Sequence, residues 1–207
     1  MVGAGLGCVA VAVLVGLAAQ RQGMWLDHAT LSAAGSLVSP RNRFVRLLSS
    51  EAGWPHGSYL TALLPVVVTV AFLAGGALRD GVLVVIRRWR WVLLTLIVIP
   101  AHYLLRVALR RPGPDDGHGQ EIIVGAYPSG AALAVGLGWI LLVVVVGGLR
   151  PRYRPWLVVV AVVVLAVHGI ARALTQKHWA TDVMGSYFLV AGTFLLASTA
   201  RPDAGHQ

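Results

Sequence analysis

The chain has 207 residues, 57% of them hydrophobic and only 12% charged, with a net charge of +9 and a mean hydropathy of +0.75. A soluble domain carries about 25% charged residues, so a water-surrounded globule is excluded. The cations fall in short loops between apolar runs, which is a matter of membrane topology, and no nucleic-acid partner is expected.

The first apolar run, about 2–20, lacks a positively charged leader and exceeds the apolar length of a signal peptide, so it reads as an uncleaved helix. Its one cysteine, Cys8, has no second cysteine to bond within the chain. The connection 21–57 follows, polar and apolar by turns and never of spanning length. Within it Phe44–Leu48 suits a short helix at the membrane interface with Trp25 and Trp54 as anchors, an ordinary solvated loop being the alternative. A second span is expected over 58–78 and a third over 88–108. The third has only 15 uncharged residues between Arg90 and Arg106, so its flanking arginines must snorkel. "RRPGPDDGHGQE" then breaks the helical period, and the connection 109–125 is expected to be irregular. The remaining spans are expected at 126–149, 155–175 and 180–200, with small residues in "ALAVGLGW" for close helix packing. "ARALTQKHWATD" carries the helical period across the last connection almost without a break.

The expected fold class is therefore all-α, a polytopic membrane protein with one six-helix domain over 1–207. Arg79, Arg87, Arg88 and Arg90, then Arg150, Arg152 and Arg154, then Arg201 mark three segments as cytoplasmic. Both termini are then inside, and the loops 21–57 and 109–125 face outward. Arg41, Arg43 and Arg46 run against this orientation and are accounted for as contacts to anionic headgroups.

Outward loops of this topology collect the ionisable residues. His178 and Asp182 stand four apart, which on a helix sets them on one face. A carboxylate at one ring nitrogen fixes the tautomer and leaves the other as nucleophile or base. Arg172 adds a planar fork suited to an anion. The alternative is structural: Asp182 favouring a helix N-terminus and Trp179 at a headgroup belt.

The spacing "R-x5-H-x3-D" followed by "V-x-G" resembles the third signature of the type 2 phosphatidic acid phosphatase family. "YPSGAA" is similar to that family's Pro-Ser-Gly-His, with Ala131 in place of the His. "RVALRRPGP" is similar to its first signature, with Arg106 at the Lys, Arg111-Pro112 at the inner pair and Gly113 at the final Arg. "WLD" and the later "SP" look like the prelude to these motifs. The resemblance covers nearly the whole chain and implies a six-helix membrane fold. It also implies a phosphohistidine on His178, oriented by Asp182, with phosphate held by Arg172, Arg106, Arg111, Ser129 and Gly130.

Two side chains of the pattern are missing: the proton donor at Ala131 and the cation at Gly113. Substitute acids are His118 and His168, against a solvated loop histidine and a helix-packing histidine respectively. His102 stands to Arg106 as His168 does to Arg172, one turn earlier. A diphosphate substrate would relax the need for an acid, because phosphate is a far better leaving group than an alkoxide. The expected function is a lipid phosphatase or phosphotransferase in a bacterial plasma membrane, acting on a phospholipid or polyprenyl phosphate. The other reading is a catalytically degenerate member that binds an anionic headgroup, serving as a scaffold subunit beside a membrane-protein partner. No cofactor is expected. No metal is expected either, since Asp115, Asp116 and Glu121 lack a ligand pattern and suit a solvated acidic loop.

Overall fold

The computed structural model describes residues 2–19, 24–37, 66–67, 69–71, 74–75, 98–114, 125–174 and 178–199. All regular structure among them is helical. In chain order the helices are α1 (Val2–Ala18), α2 (Trp25–Leu37), α3 (Val98–Leu109), α4 (Gly130–Leu149), α5 (Arg154–Leu174) and α6 (Ala180–Thr199). A 3-10 turn at Pro151–Tyr153 joins α4 to α5. Helical pieces at 66–67, 69–71 and 74–75 fall inside the expected second span. The rest of that span, the first half of the third, Phe44–Leu48, Trp54, the acidic loop residues and His118 lie outside the described residues.

Local chemistry explains where the helices start and stop. Arg110 takes a left-handed conformation (φ 45°) after α3, its N–H still bonding Arg106 O at 3.0 Å, and Pro112 prevents resumption. The helix expected from 126 begins instead at Gly130. Pro128 disfavours helical geometry at Tyr127, and Ser129 is the N-cap, its Oγ accepting from Ala132 N–H. The connection before α6 is also more sharply broken than its periodicity suggests, because His178 and Trp179 are not helical. Asp182, in the first turn of α6, accepts from Trp179 N–H at 3.0 Å, one half of a capping box. Within the connection 21–57, Trp25–Leu37 is helical, with Asp27 in its first turn accepting from Met24 N–H at 2.9 Å.

Packing converges on α6. α1 runs along it, α4 lies against both α5 and α6, and α2 touches the same pair. Leu133 and Leu137 of α4 and Val190 of α6 form a buried cluster, with Val98, Ile140 and Leu189 around it. Tyr127 is wholly buried where α1 and α6 approach, donating its hydroxyl to Ala12 O. Its ring occupies the space that side chains at Gly16 and Gly185 would need, which is why both positions are glycine.

Among the described residues one helical stretch, Pro151–Leu174, is long and apolar enough to cross a membrane, and α1, α3 and much of α4 and α6 are shorter apolar helices. The outer side of α5 is bare hydrocarbon: Trp156, Val162, Val163 and Ile170 are each more than half exposed. Such a face is far more apolar than a water-facing helix surface.

Candidate functional site

The best-defined polar structure joins three distant parts of the chain. Arg111, 1% exposed, bridges two carboxylates that are wholly buried. Its Nη1 donates to Asp182 Oδ1 at 2.5 Å and its Nη2 to Asp27 Oδ2 at 2.7 Å. Thr181 closes the figure: its N–H donates to Asp27 Oδ1 at 2.9 Å, and its Oγ1 receives an N–H from Arg111 at 2.7 Å. Its hydroxyl lies 2.8 Å from Asp27 Oδ2. Buried charges persist only when paired and hydrogen-bonded. Burial pushes the Asp27 carboxyl up, but bonds from Met24, Thr181 and Arg111 outweigh it and hold the group below its ordinary 3.8. Trp179 covers the network, its indole donating to Pro112 O at 2.8 Å and its ring 5.5 Å from the Arg111 guanidinium. The edge of His28 meets that ring at 6.2 Å.

His178 adjoins this network from the turn before α6. Its Nδ1 lies 3.6 Å from Asp182 Oδ2, an electrostatic contact just beyond hydrogen-bond length. Burial pushes the imidazole below its ordinary 6.5; Asp182 opposes the shift, and Arg172 and Arg106 add to it. The ring is therefore neutral at pH 7. With Nδ1 toward the carboxylate, Nε2 is the nitrogen left for chemistry. His178 and Asp182 do come together, though not on one helix: Asp182 holds its place as the cap of α6 and His178 is in the preceding turn.

The start of α4 forms the other wall. Arg106 near the end of α3 donates from Nε to Gly125 O at 2.5 Å, and Gly125 N–H returns a bond to Arg106 O at 3.2 Å. These bonds carry the guanidinium over Gly130, where Nη1 is 3.6 Å from the position a Cβ would take. His102, one turn earlier, packs at the same spot, with Cε1 3.2 Å from that position and Nε2 3.1 Å from Pro128 O. Ser129 is fully buried and tied to α6, its N–H donating to Asp182 O at 3.1 Å and its carbonyl accepting from Ser186 Oγ at 2.9 Å. Arg172 lies in the last turn of α5, and both it and His178 act electrostatically on His168 one turn before it. Neither ring nitrogen of the buried His168 has a hydrogen-bond partner among the described residues.

Arg106 and Asp182 thus adjoin the N-terminus of α4, with His178 beside Asp182 and Arg172 within electrostatic reach of His178. Arg111 is adjacent but faces inward onto two carboxylates, and the Ser129 hydroxyl caps α4. Asp27 and Thr181 escaped the sequence reading. The only signal for Asp27 was its place in "WLD", and its partner in the ion pair lies 84 residues away.

No family profile matches the chain, and no curated protein does. Among solved structures it is similar to the crystal structure of a transmembrane PAP2-type phosphatidylglycerolphosphate phosphatase from Bacillus subtilis. The two share 16% identity with a TM-score of 0.72, over 94% of each chain. The described helices therefore have the PAP2 fold.

Proposed function

We propose that the chain is a membrane lipid phosphatase or phosphotransferase of the type 2 phosphatidic acid phosphatase family, acting on a lipid phosphate or polyprenyl diphosphate. One observation carries the reading: Arg106 and the His178–Asp182 pair adjoin the capped start of α4, with Arg172 of another helix within electrostatic reach of His178. Such a terminus presents unbonded N–H groups to an anion, and arginine forks suit phosphate oxygens. The fold and the phosphatase activity named for the structural neighbour support the same class; phosphatidylglycerolphosphate is that protein's substrate.

In this account Arg106, Arg172 and the N–H of Gly130 hold the phosphate. His178 Nε2 attacks phosphorus, and Asp182 stabilises the imidazolium that forms. Hydrolysis of the phosphohistidine, or transfer to another acceptor, completes the cycle. Arg111 serves differently from the sequence expectation: it holds Asp182 in place rather than meeting substrate. Of the two substitute acids expected from the sequence, His168 lies one turn before Arg172 on α5 and His118 lies outside the described residues.

Six spans are read from the apolar runs and a bacterial plasma membrane from the chain's size and composition, while the positive loops set both termini in the cytoplasm and the site outward. The bare face of α5 suits lipid. The purified protein in detergent, offered phosphatidic acid and a polyprenyl diphosphate across pH, releases phosphate from at least one, and His178→Ala does not. Release from neither lipid defeats the enzyme reading and leaves a headgroup-binding scaffold with a membrane-protein partner.

A further inference from the structure

An alkoxide leaves phosphorus slowly unless a proton reaches it, and Ala131 supplies none. Two imidazoles lie one turn from the phosphate-facing arginines: His102 before Arg106 on α3 and His168 before Arg172 on α5. The two differ in how they are held. Nε2 of His102 is anchored on Pro128 O at 3.1 Å, and its ring packs over Gly130 beside Arg106 Nη1. The carbonyl can only accept, so Nε2 carries hydrogen and Nδ1 is the nitrogen free to exchange a proton. His168 has no such anchor among the described residues. A general acid must be fixed close to the leaving oxygen. The His102 ring is fixed by Pro128 O beside Gly130, the residue that begins α4.

We propose that His102 is the proton donor and acceptor of the reaction, delivering from α3 the proton that position 131 cannot; this rests on the phosphatase reading above. In the first half-reaction His178 Nε2 forms the P–N bond while the P–O bond to the lipid breaks. That electron pair stays on the lipid oxygen, which takes the Nδ1 proton of the His102 imidazolium and leaves as an alcohol, His102 becoming neutral with its hydrogen on Nε2. In the second half-reaction neutral His102 takes a proton from water as the water oxygen attacks phosphorus. The P–N bond then breaks to give phosphate and neutral His178. The substrate class follows: with an acid in place, an alkyl phosphomonoester lipid is within reach, and the enzyme is not confined to diphosphates.

The test compares two leaving groups, dioleoyl phosphatidic acid, which departs as an alcohol, and farnesyl diphosphate, which departs as a phosphate. Wild type, His102→Ala, His102→Gln and His168→Ala are assayed after matching elution and thermal unfolding. His102→Gln retains an N–H for Pro128 O but has no acid. Both His102 variants should lose roughly 10²–10⁴-fold on phosphatidic acid and less than about tenfold on farnesyl diphosphate. Equal losses on the two substrates, no loss, or the selective loss in His168→Ala instead overturns the role of His102. So does a wild type that acts on the diphosphate alone. A wild type inactive on both overturns the phosphatase reading itself.

Discussion

At the residue scale, the Arg111 guanidinium determines how the site is held. It stands between two wholly buried carboxylates, so the cluster has one cation against two anions. Arg111→Leu leaves both carboxylates buried without their cation, and removing one partner of a buried pair costs about 3–5 kcal/mol. Asp27→Asn removes one anion and keeps the volume, so a smaller loss of about 1–3 kcal/mol is expected. Thermal unfolding in detergent should rank Arg111→Leu below Asp27→Asn; the reverse order would deny Arg111 its central place. Asp27 never touches substrate in this account. Its replacement should lower kcat through a loosened Asp182 and leave KM nearly unchanged. The His178 environment also sets a pH dependence. Its folded value lies below 6.5, so the folded state disfavours the imidazolium. The stability this gives is complete above pH 6.5 and declines as pH falls from there toward the lowered value. Activity follows the same sign, with the acid limb of kcat/KM below pH 6.5 because a protonated ring has no lone pair to attack with. An acid limb above 6.5 would contradict a buried, neutral nucleophile.

At the element scale, what could be read from the sequence and what could not divide along a physical line. Periodicity and composition place α1, α4, α5 and α6 within a few residues of where they are found, because apolar runs of this kind have few other solutions. The start of α4 differed by four residues, since hydropathy does not register the restriction that Pro128 puts on Tyr127 or the cap at Ser129. The pairing of His178 with Asp182 was legible from their spacing. The break between them was not: Asp182 turns back to Trp179 N–H, a local bond with no hydrophobic signature. Asp27 and Thr181 were invisible for another reason, their partnership spanning 154 residues. Contacts between elements also explain Gly185, four places after the residue at position 181 that completes the network. The Tyr127 ring occupies the space of a side chain there. Gly185→Val should therefore force Tyr127 from its place between α1 and α6 and cost roughly 1–3 kcal/mol or more. A variant that melts with wild type would show that Tyr127 does not pack there.

At the scale of the whole molecule, the helices gather a charged cluster at one end of a hydrocarbon-faced bundle. This arrangement suits a substrate whose charged head is polar and whose tail lies in lipid. α2 brings Asp27 across to α6, so the connection between α1 and the next span is part of the site's frame. The orientation is testable through Cys8, the sole cysteine. In a Cys8→Ala background, a cysteine at Trp25 should react with an impermeant maleimide in intact cells, and one at Arg152 only after lysis. The opposite pattern would invert the topology. The central claim is that His178 becomes covalently phosphorylated, and trapping addresses it most directly. Wild-type protein incubated with labelled lipid diphosphate and quenched at alkaline pH should carry acid-labile phosphate on His178, absent from His178→Ala. Turnover of the lipid with no label on wild type, or label that persists in His178→Ala, would contradict the account.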